Sequence, residues 1–318
     1  MTDAAKPTTY QDVPGWFAWD DRAMFDILLN ALHDHPGMLI ELGCYLGKSA
    51  VIIGDHRRPG ERFVVVDLFG SEAELSDDWM GHANKKENRW SYKTLTQTQF
   101  EANYLAFHAE LPDVVQGLST EVVKHVDPGS ARFVHIDASH LYPQVAQDIA
   151  NVRKLLAPGG VVVLDDFRTE HTPGVSAACW EAVISGGMIP FALTRSKMYA
   201  AWDDPTPHIE AVCAGVGPDT RLGYSEENVM GHRVIRVKLP KPAPPAAPPR
   251  LSAGEINAIA AKVAKKITPA VKTEVTRQVR AAKKPQPAGS PARALAKDVL
   301  PPVVVRALRN ARRRARAR

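Results

Sequence analysis

Over the first 239 residues, short apolar runs alternate with stretches of helical periodicity. Residues 38–43 (MLIELG) form an apolar run closed by glycine. Residues 62–67 (RFVVVD), 132–137 (RFVHID) and 161–166 (VVVLDD) are β-branched and close on acids, and residues 113–116 form a weaker run. Helical patterns over 20–33, 48–56, 144–156 and 175–185 lie around and between them. The Pro158-Gly159-Gly160 triplet predicts a turn into the strongest strand, and residues 233–239 (RVIRVKL) alternate like a last strand that closes the domain. Strands alternating with helices predict an α/β fold, a doubly wound and mostly parallel sheet buried on both faces. Ligands of such sheets bind at the carboxyl ends of the strands, where three of these runs place acids. Residues 71–103 are long, polar and dotted with Trp79, Trp90, Tyr92 and Phe100. They read equally as a lid over that edge or as a solvated helical insertion.

The pattern changes at Pro240. Residues 240–249 (PKPAPPAAPP) predict a stiff linker, so the expected division is a domain at 1–239, a Pro-rich linker at 240–250 and a basic tail at 251–318. Residues 240–318 hold 19 Lys and Arg against 3 Asp and Glu, a net +16, which leaves the preceding 239 residues at −11 within a chain total of +5. The overall basicity therefore belongs to the tail and says little about a site in the domain. The tail has a capping-box signature (Ser252, Glu255) and branched apolar residues at helical spacing from Ile256 to Val279, interrupted at Pro269. It reads as a partly helical element that contacts an anionic membrane, a polyanion or a partner helix, or as a disordered extension. The three cysteines (Cys44, Cys179, Cys213) lie far apart, which excludes a disulfide scaffold and a Cys-rich zinc site. With a polar start and no long apolar run, the expected location is the cytoplasm, with the membrane surface as an option through the tail.

Candidate chemistry begins where the first strand runs into Glu41-Leu42-Gly43-Cys44-Tyr45-Leu46-Gly47-Lys48-Ser49. Gly43 and Gly47 allow a sharp turn and a close backbone approach, and the following helix aims free N–H groups at the same place. The spacing fits neither a phosphate-binding P-loop nor the G-x-G-x-x-G dinucleotide fingerprint. Asp67, 20 residues after Gly47, ends the second strand, where a carboxylate suits both ribose hydroxyls of a nucleoside. Asp137, Asp165 and Asp166 end neighbouring strands in such a topology. Converging carboxylates call for a cation or protons, and hard oxygen ligands suit Mg²⁺. Without a metal, the same acids cap helices and orient a cofactor. His140 follows Asp137 by three residues and suits a general base near neutral pH, or a mere substrate contact. His171 is a weaker candidate beside the acceptor, and His135 reads as structural. Trp16, Phe17 and Trp19 either cap a pocket or pack a first helix onto the sheet.

The acid-x-Gly-x-x-x-Gly loop resembles motif I of class I S-adenosylmethionine (SAM) methyltransferases. Residues 134–140 and 157–167, with their L-x-P-G-G turn, resemble the fourth and fifth strands of SAM-dependent O-methyltransferases. More narrowly, residues 35–170 look like the family 24 type, related to macrocin-type sugar and catechol-type O-methyltransferases. The resemblance implies a Rossmann-like sheet of seven strands with SAM held by Glu41, Gly43, Tyr45, Gly47, Ser49, Asp67, Ser119 and Asp137. Ser119 enters through Gln116-Gly117-Leu118-Ser119, where relatives touch the adenine. It also implies a metal, Mg²⁺, on Asp137, Asp165 and Asp166, with His140 and Asp137 as catalytic groups. The reaction so implied is methyl transfer to a hydroxyl of a small molecule or sugar, by a chain that could form homo-oligomers. Two other classes compete: an NAD-dependent oxidoreductase on the same sheet, disfavoured by the missing fingerprint, and a non-catalytic protein that works through the tail.

Overall fold

The computed structural model describes residues 6–92 and 95–239, and the expected linker and tail lie outside the described residues. Nine strands are described: β1 (Met38–Leu42), β2 (Phe63–Asp67), β3 (Asp113–Gln116), β4 (Ala131–Ile136), β5 (Leu156–Leu164), β6 (Ile189–Leu193), β7 (Met198–Ala201), β8 (Gly223–Val229) and β9 (His232–Lys238). They form one sheet of order β3-β2-β1-β4-β5-β7-β6-β9-β8. The first five in that order are parallel, and β7 runs antiparallel to both β5 and β6. The fold class is the α/β, Rossmann-like one expected, but the strand count corrects the expectation of seven. Strand β9 is the last strand expected over 233–239, while β6, β7 and β8 have no expected counterpart; β8 pairs with β9 in a hairpin joined through the parallel β6–β9 contact. Strand β8 (GYSEENV) is mostly exposed and polar, so no apolar run announces it. Nor does Pro158-Gly159-Gly160 form a separate turn. It lies inside β5, whose pairing with β4 jumps from Ala131↔Leu156 to Phe133↔Val161 and so absorbs the extra residues as an irregularity.

Seven α-helices are found among the described residues: α1 (Trp19–Ala31), α2 (Lys48–Gly54), α3 (Trp79–Ser91), α4 (Gln97–Tyr104), α5 (Tyr142–Leu155), α6 (Pro173–Ile184) and α7 (Thr206–Gly215). Helices α5, α6 and α7 each carry proline in the first turn, where its missing N–H costs nothing. Successive strand residues point to opposite faces, so each strand feeds two cores. Leu39, Val65, Phe133 and Val163 pack with Met24, Leu28, Ile52, Phe100 and Ile209 from α1, α2, α4 and α7. Ile40, Val64, Val134 and Val162 pack with Val145, Ile149, Val152, Val175 and Ala178 from α5 and α6. Under the first face, Arg132 is fully buried; it pairs with Glu61 and donates to the carbonyls of Leu32 and His56.

The sheet order reverses at β1, which lies between β2 and β4, and a crevice opens there at the carboxyl ends. Backbone bonds fix the level of those ends. The Gly43 N–H donates to Val66 O at 2.8 Å, the Asp137 N–H to Leu42 O at 2.7 Å and the Asp165 N–H to Ile136 O at 3.0 Å. No helix among the described residues is long and apolar enough to cross a membrane.

Candidate active site

A cavity of about 460 Å³ fills the crevice. Gly43, Cys44, Tyr45, Ser49, Val66, Asp67, Leu68 and residues 117–119 line one end. Asp137, His140, Asp165, Asp166 and His171 line the other, and Trp16, Asn84, Tyr92 and Leu95 contribute to the wall. The segment 71–103 is therefore both helical, through α3 and α4, and part of the cavity wall. Trp16 is 77% exposed and stacks on Tyr45 with centroids 5.7 Å apart. Phe17 instead turns inward, edge-on to Phe25, while Trp19 donates its indole N–H to Thr220 O away from the cavity.

The loop after β1 is held from inside. Gly43 has φ +80°, and a Cβ there would lie 2.1 Å from Asp137 O, so only glycine lets β1 and β4 end side by side. Asp67 Oδ2 accepts the N–H groups of Cys44 at 2.8 Å and Tyr45 at 2.9 Å, and Oδ1 accepts that of Phe69 at 2.7 Å. A carboxylate has about four acceptor positions. Three are used by the protein's own backbone, which corrects the expectation that Asp67 is free to take two ribose hydroxyls. Two other expected cofactor contacts do not line the cavity. Glu41 is fully buried, and its Oε1 meets His135 Nδ1 at 2.8 Å. Gly47 is the N-cap of α2 at φ +94°, shaping the turn under Phe100 without facing the cavity. At the loop's far side, Ser119 donates its hydroxyl to Asp148 Oδ2 at 2.9 Å.

At the acidic end, Asp137, His140 and Asp166 each offer one ligand atom within 4.8 Å of the others. His140 Nε2 lies 3.2 Å from Asp166 Oδ2, and His171 stands edge-on to His140 at 6.2 Å. Asp166 adopts φ +54°, an unfavourable conformation for a residue with a side chain. Its N–H donates to Asp165 Oδ1 at 2.7 Å, and the Thr172 hydroxyl donates to its carbonyl at 2.8 Å. Burial, with Asp165 and Asp166 as like-charged neighbours, pushes the Asp137 carboxyl well above the ordinary range.

Asp165 departs from the expected metal set. Its Oδ2 is ion-paired with Lys197, a residue that the sequence reading did not single out. Burial works to raise the Asp165 pKa, but the Lys197 ammonium outweighs it and holds it at about 2. His135, Asp137 and Asp165 also cluster within ligand range, yet the same ammonium sits 3.2 Å from His135 Nε2. A lone lysine in TRSKMYAA carries no local mark of this role; only its position beside the apolar run Met198–Ala201 hints that it is buried.

An open α/β sheet with a crevice at its switch point, floored by a glycine loop and strand-end acids, is the arrangement in which doubly wound folds hold ligands. Residues 40–167 match the model of a family described as a methyltransferase domain. The chain thus matches that model over the glycine loop and the strand-end acids, whose motifs imply the same family. It is similar in fold to the calicheamicin methyltransferase CalS11, at 17% identity over 58% of this chain and 79% of that one, with TM-score 0.43. Similar, too, are the O-methyltransferase NovP, at 17% over 58% and 81% with TM-score 0.45, and an O-methyltransferase from Bacillus cereus in complex with SAH, at 16% over 60% and 85% with TM-score 0.37. No curated protein matches the chain.

Proposed function

We propose that the chain is a SAM-dependent O-methyltransferase that acts on a hydroxyl of a small molecule or glycan. The observation that carries this reading is the single cavity joining the Gly43–Tyr45 loop and Asp67 to the Asp137, His140 and Asp166 cluster. The donor set at the loop end suits a nucleoside: apolar Val66, Leu68 and Leu118 beside one free acceptor position on Asp67 and the Ser119 hydroxyl. When bound, SAM would supply an electrophilic methyl group. Asp67 holds the loop in shape through three N–H groups, and Asp148 orients Ser119 by accepting the hydrogen bond of its hydroxyl. At the other end, His140 takes the acceptor's hydroxyl proton, and Asp166, 3.2 Å from its Nε2, stabilises the charge that results. Positioning of the two reactants supplies the rest.

A divalent ion fits Asp137, His140 and Asp166 by donor chemistry; with such an ion bound, His140 would be a ligand and not the base, and the ion would instead lower the pKa of the acceptor hydroxyl. One imidazole among carboxylates favours Mn²⁺ or a similar transition ion over Mg²⁺. The domain ends at about residue 239 in this reading, and the +16 tail attaches the enzyme weakly to anionic surfaces without part in the chemistry. The test is methyl transfer from labelled SAM to a panel of hydroxylated acceptors, with and without a chelator, alongside calorimetry with SAM and NAD. Binding of SAM and not NAD, with label appearing on oxygen, is expected. Binding of NAD alone would overturn the reading, and undiminished activity after exhaustive chelation would remove the metal only.

A further inference from the structure

Lys197 immediately precedes β7, and its side chain is 1% exposed. Its ammonium is ion-paired with Asp165 Oδ2, lies 3.2 Å from His135 Nε2 and sits 4.9 Å over the Phe17 ring. An ammonium has donors only, so His135 Nε2 must accept. The ring proton is then on Nδ1, where Glu41 Oε1 receives it at 2.8 Å. A chain of four groups from four strands or strand ends thus runs Glu41, His135, Lys197, Asp165, with the negative charge of Asp165 answered inside the protein. A buried ammonium is costly unless carboxylates surround it, and Asp165, Asp21 and Asp137 are the carboxylates that act on this one.

The other oxygen of Asp165 has its own task. Oδ1 accepts the Asp166 N–H at 2.7 Å, across the residue that stands at φ +54°. Asp165 thus meets the Lys197 ammonium through Oδ2 and the Asp166 backbone through Oδ1, while the Asp166 side chain lies 3.2 Å from His140 Nε2.

We propose that Lys197 is a positioning residue that occupies the place of a cation at Asp165, keeping that carboxylate out of any metal's ligand set and confining divalent-ion binding to Asp137, His140 and Asp166. The proposal deepens the methyl-transfer reading of the same site, and its ion-binding test is independent of SAM. A lysine that merely fills space would leave ion binding untouched.

The experiment titrates Mn²⁺ into the full chain without SAM and follows the free-ion signal by electron paramagnetic resonance. The wild type is expected to bind one ion, and Asp166→Asn to lose it. Asp165→Asn removes no ligand but frees the Lys197 ammonium beside the site, so it should weaken Mn²⁺ binding by no more than about tenfold and still bind one ion. Lys197→Met should bind Mn²⁺ at least about tenfold more tightly, because a carboxylate is released beside the site. Lys197→Arg, which preserves the charge, should stay near wild type. Unchanged or weaker binding by Lys197→Met overturns the proposal, as does loss of the ion in Asp165→Asn or absence of binding in the wild type. If Lys197→Met does not fold, the Asp165→Asn titration decides alone. Failure of SAM to bind the wild type, with the Mn²⁺ results as expected, would sink the methyltransferase reading of the site and leave the role of Lys197 standing.

Discussion

Asp67 holds three backbone N–H groups at 2.7–2.9 Å, so its first duty is to the loop and its second to a ligand. Asp67→Ala strands those donors at the rim of the cavity. Each lost bond to a charged acceptor is worth about 1.5–3 kcal/mol. Both the unfolding free energy and SAM affinity should therefore fall, the affinity by roughly tenfold or more, as read by denaturation and calorimetry on the same samples. Weaker SAM binding at full stability would show that Asp67 serves the ligand alone. Asp148 offers a test by pH. It is fully buried, bonded through Oδ2 to Ser119, and its Oδ1 has no hydrogen-bond partner among the described residues. Burial lifts its pKa from 3.8 to about 7. The folded state then keeps a proton that the unfolded state gives up, so this contribution is full below the unfolded value and is lost as pH rises towards 7. Asp148→Asn carries no such loss. Its stability relative to wild type should improve by about 2–3 kcal/mol between pH 5 and pH 8. Equal differences at the two pH values would remove Asp148 as the source.

At the scale of elements, the site depends on how β1 and β4 end. The Cβ that Gly43→Ala adds would lie 2.1 Å from Asp137 O and 2.5 Å from its carbonyl carbon, in a residue held at φ +80°. Backbone cannot move aside as a side chain can, so the two strand ends must part. A loss of at least about 3 kcal/mol is expected from the clash and the positive φ together. Gly47→Ala is the control. Its Cβ would meet the Phe100 ring at 3.1 Å, and a ring can shift by a few tenths of an ångström. Thermal unfolding of the pair should place Gly43→Ala well below Gly47→Ala. The reverse order would mean that the loop's packing on α4 matters more than the abutment of the strands.

For the whole molecule, charge and composition divide the chain at Pro240. A fragment of residues 1–239 should unfold in the same transition as the full chain and bind SAM equally well. Sedimentation with anionic vesicles should retain the full chain at low salt and release it as salt rises, because surface charges are screened within about 10 Å at 0.1 M. The fragment, at −11, should not be retained. Equal behaviour of both would remove the tail as a polyanion-binding element, and loss of methyl transfer to a soluble acceptor in the fragment would join the tail to the chemistry.

The sequence by itself determined the parallel half of the sheet, the glycine loop and the acids at its edge. Each of these is written locally: an apolar run such as VVVLDD must be buried, its period sets the faces, and an acid after it falls at the rim. It could not show β8, which is polar because one face of an edge strand meets water, nor the passage of Pro158-Gly159-Gly160 through β5. It also could not apportion the acids. Asp67, Asp165 and Glu41 look alike in sequence, each an acid in or after an apolar run. Tertiary structure gave one to the loop backbone, one to Lys197 and one to His135, across separations of 22, 32 and 94 residues. A buried charge takes whichever partner the fold brings within reach, and reach between strands is decided by sheet order and register, which no local pattern encodes.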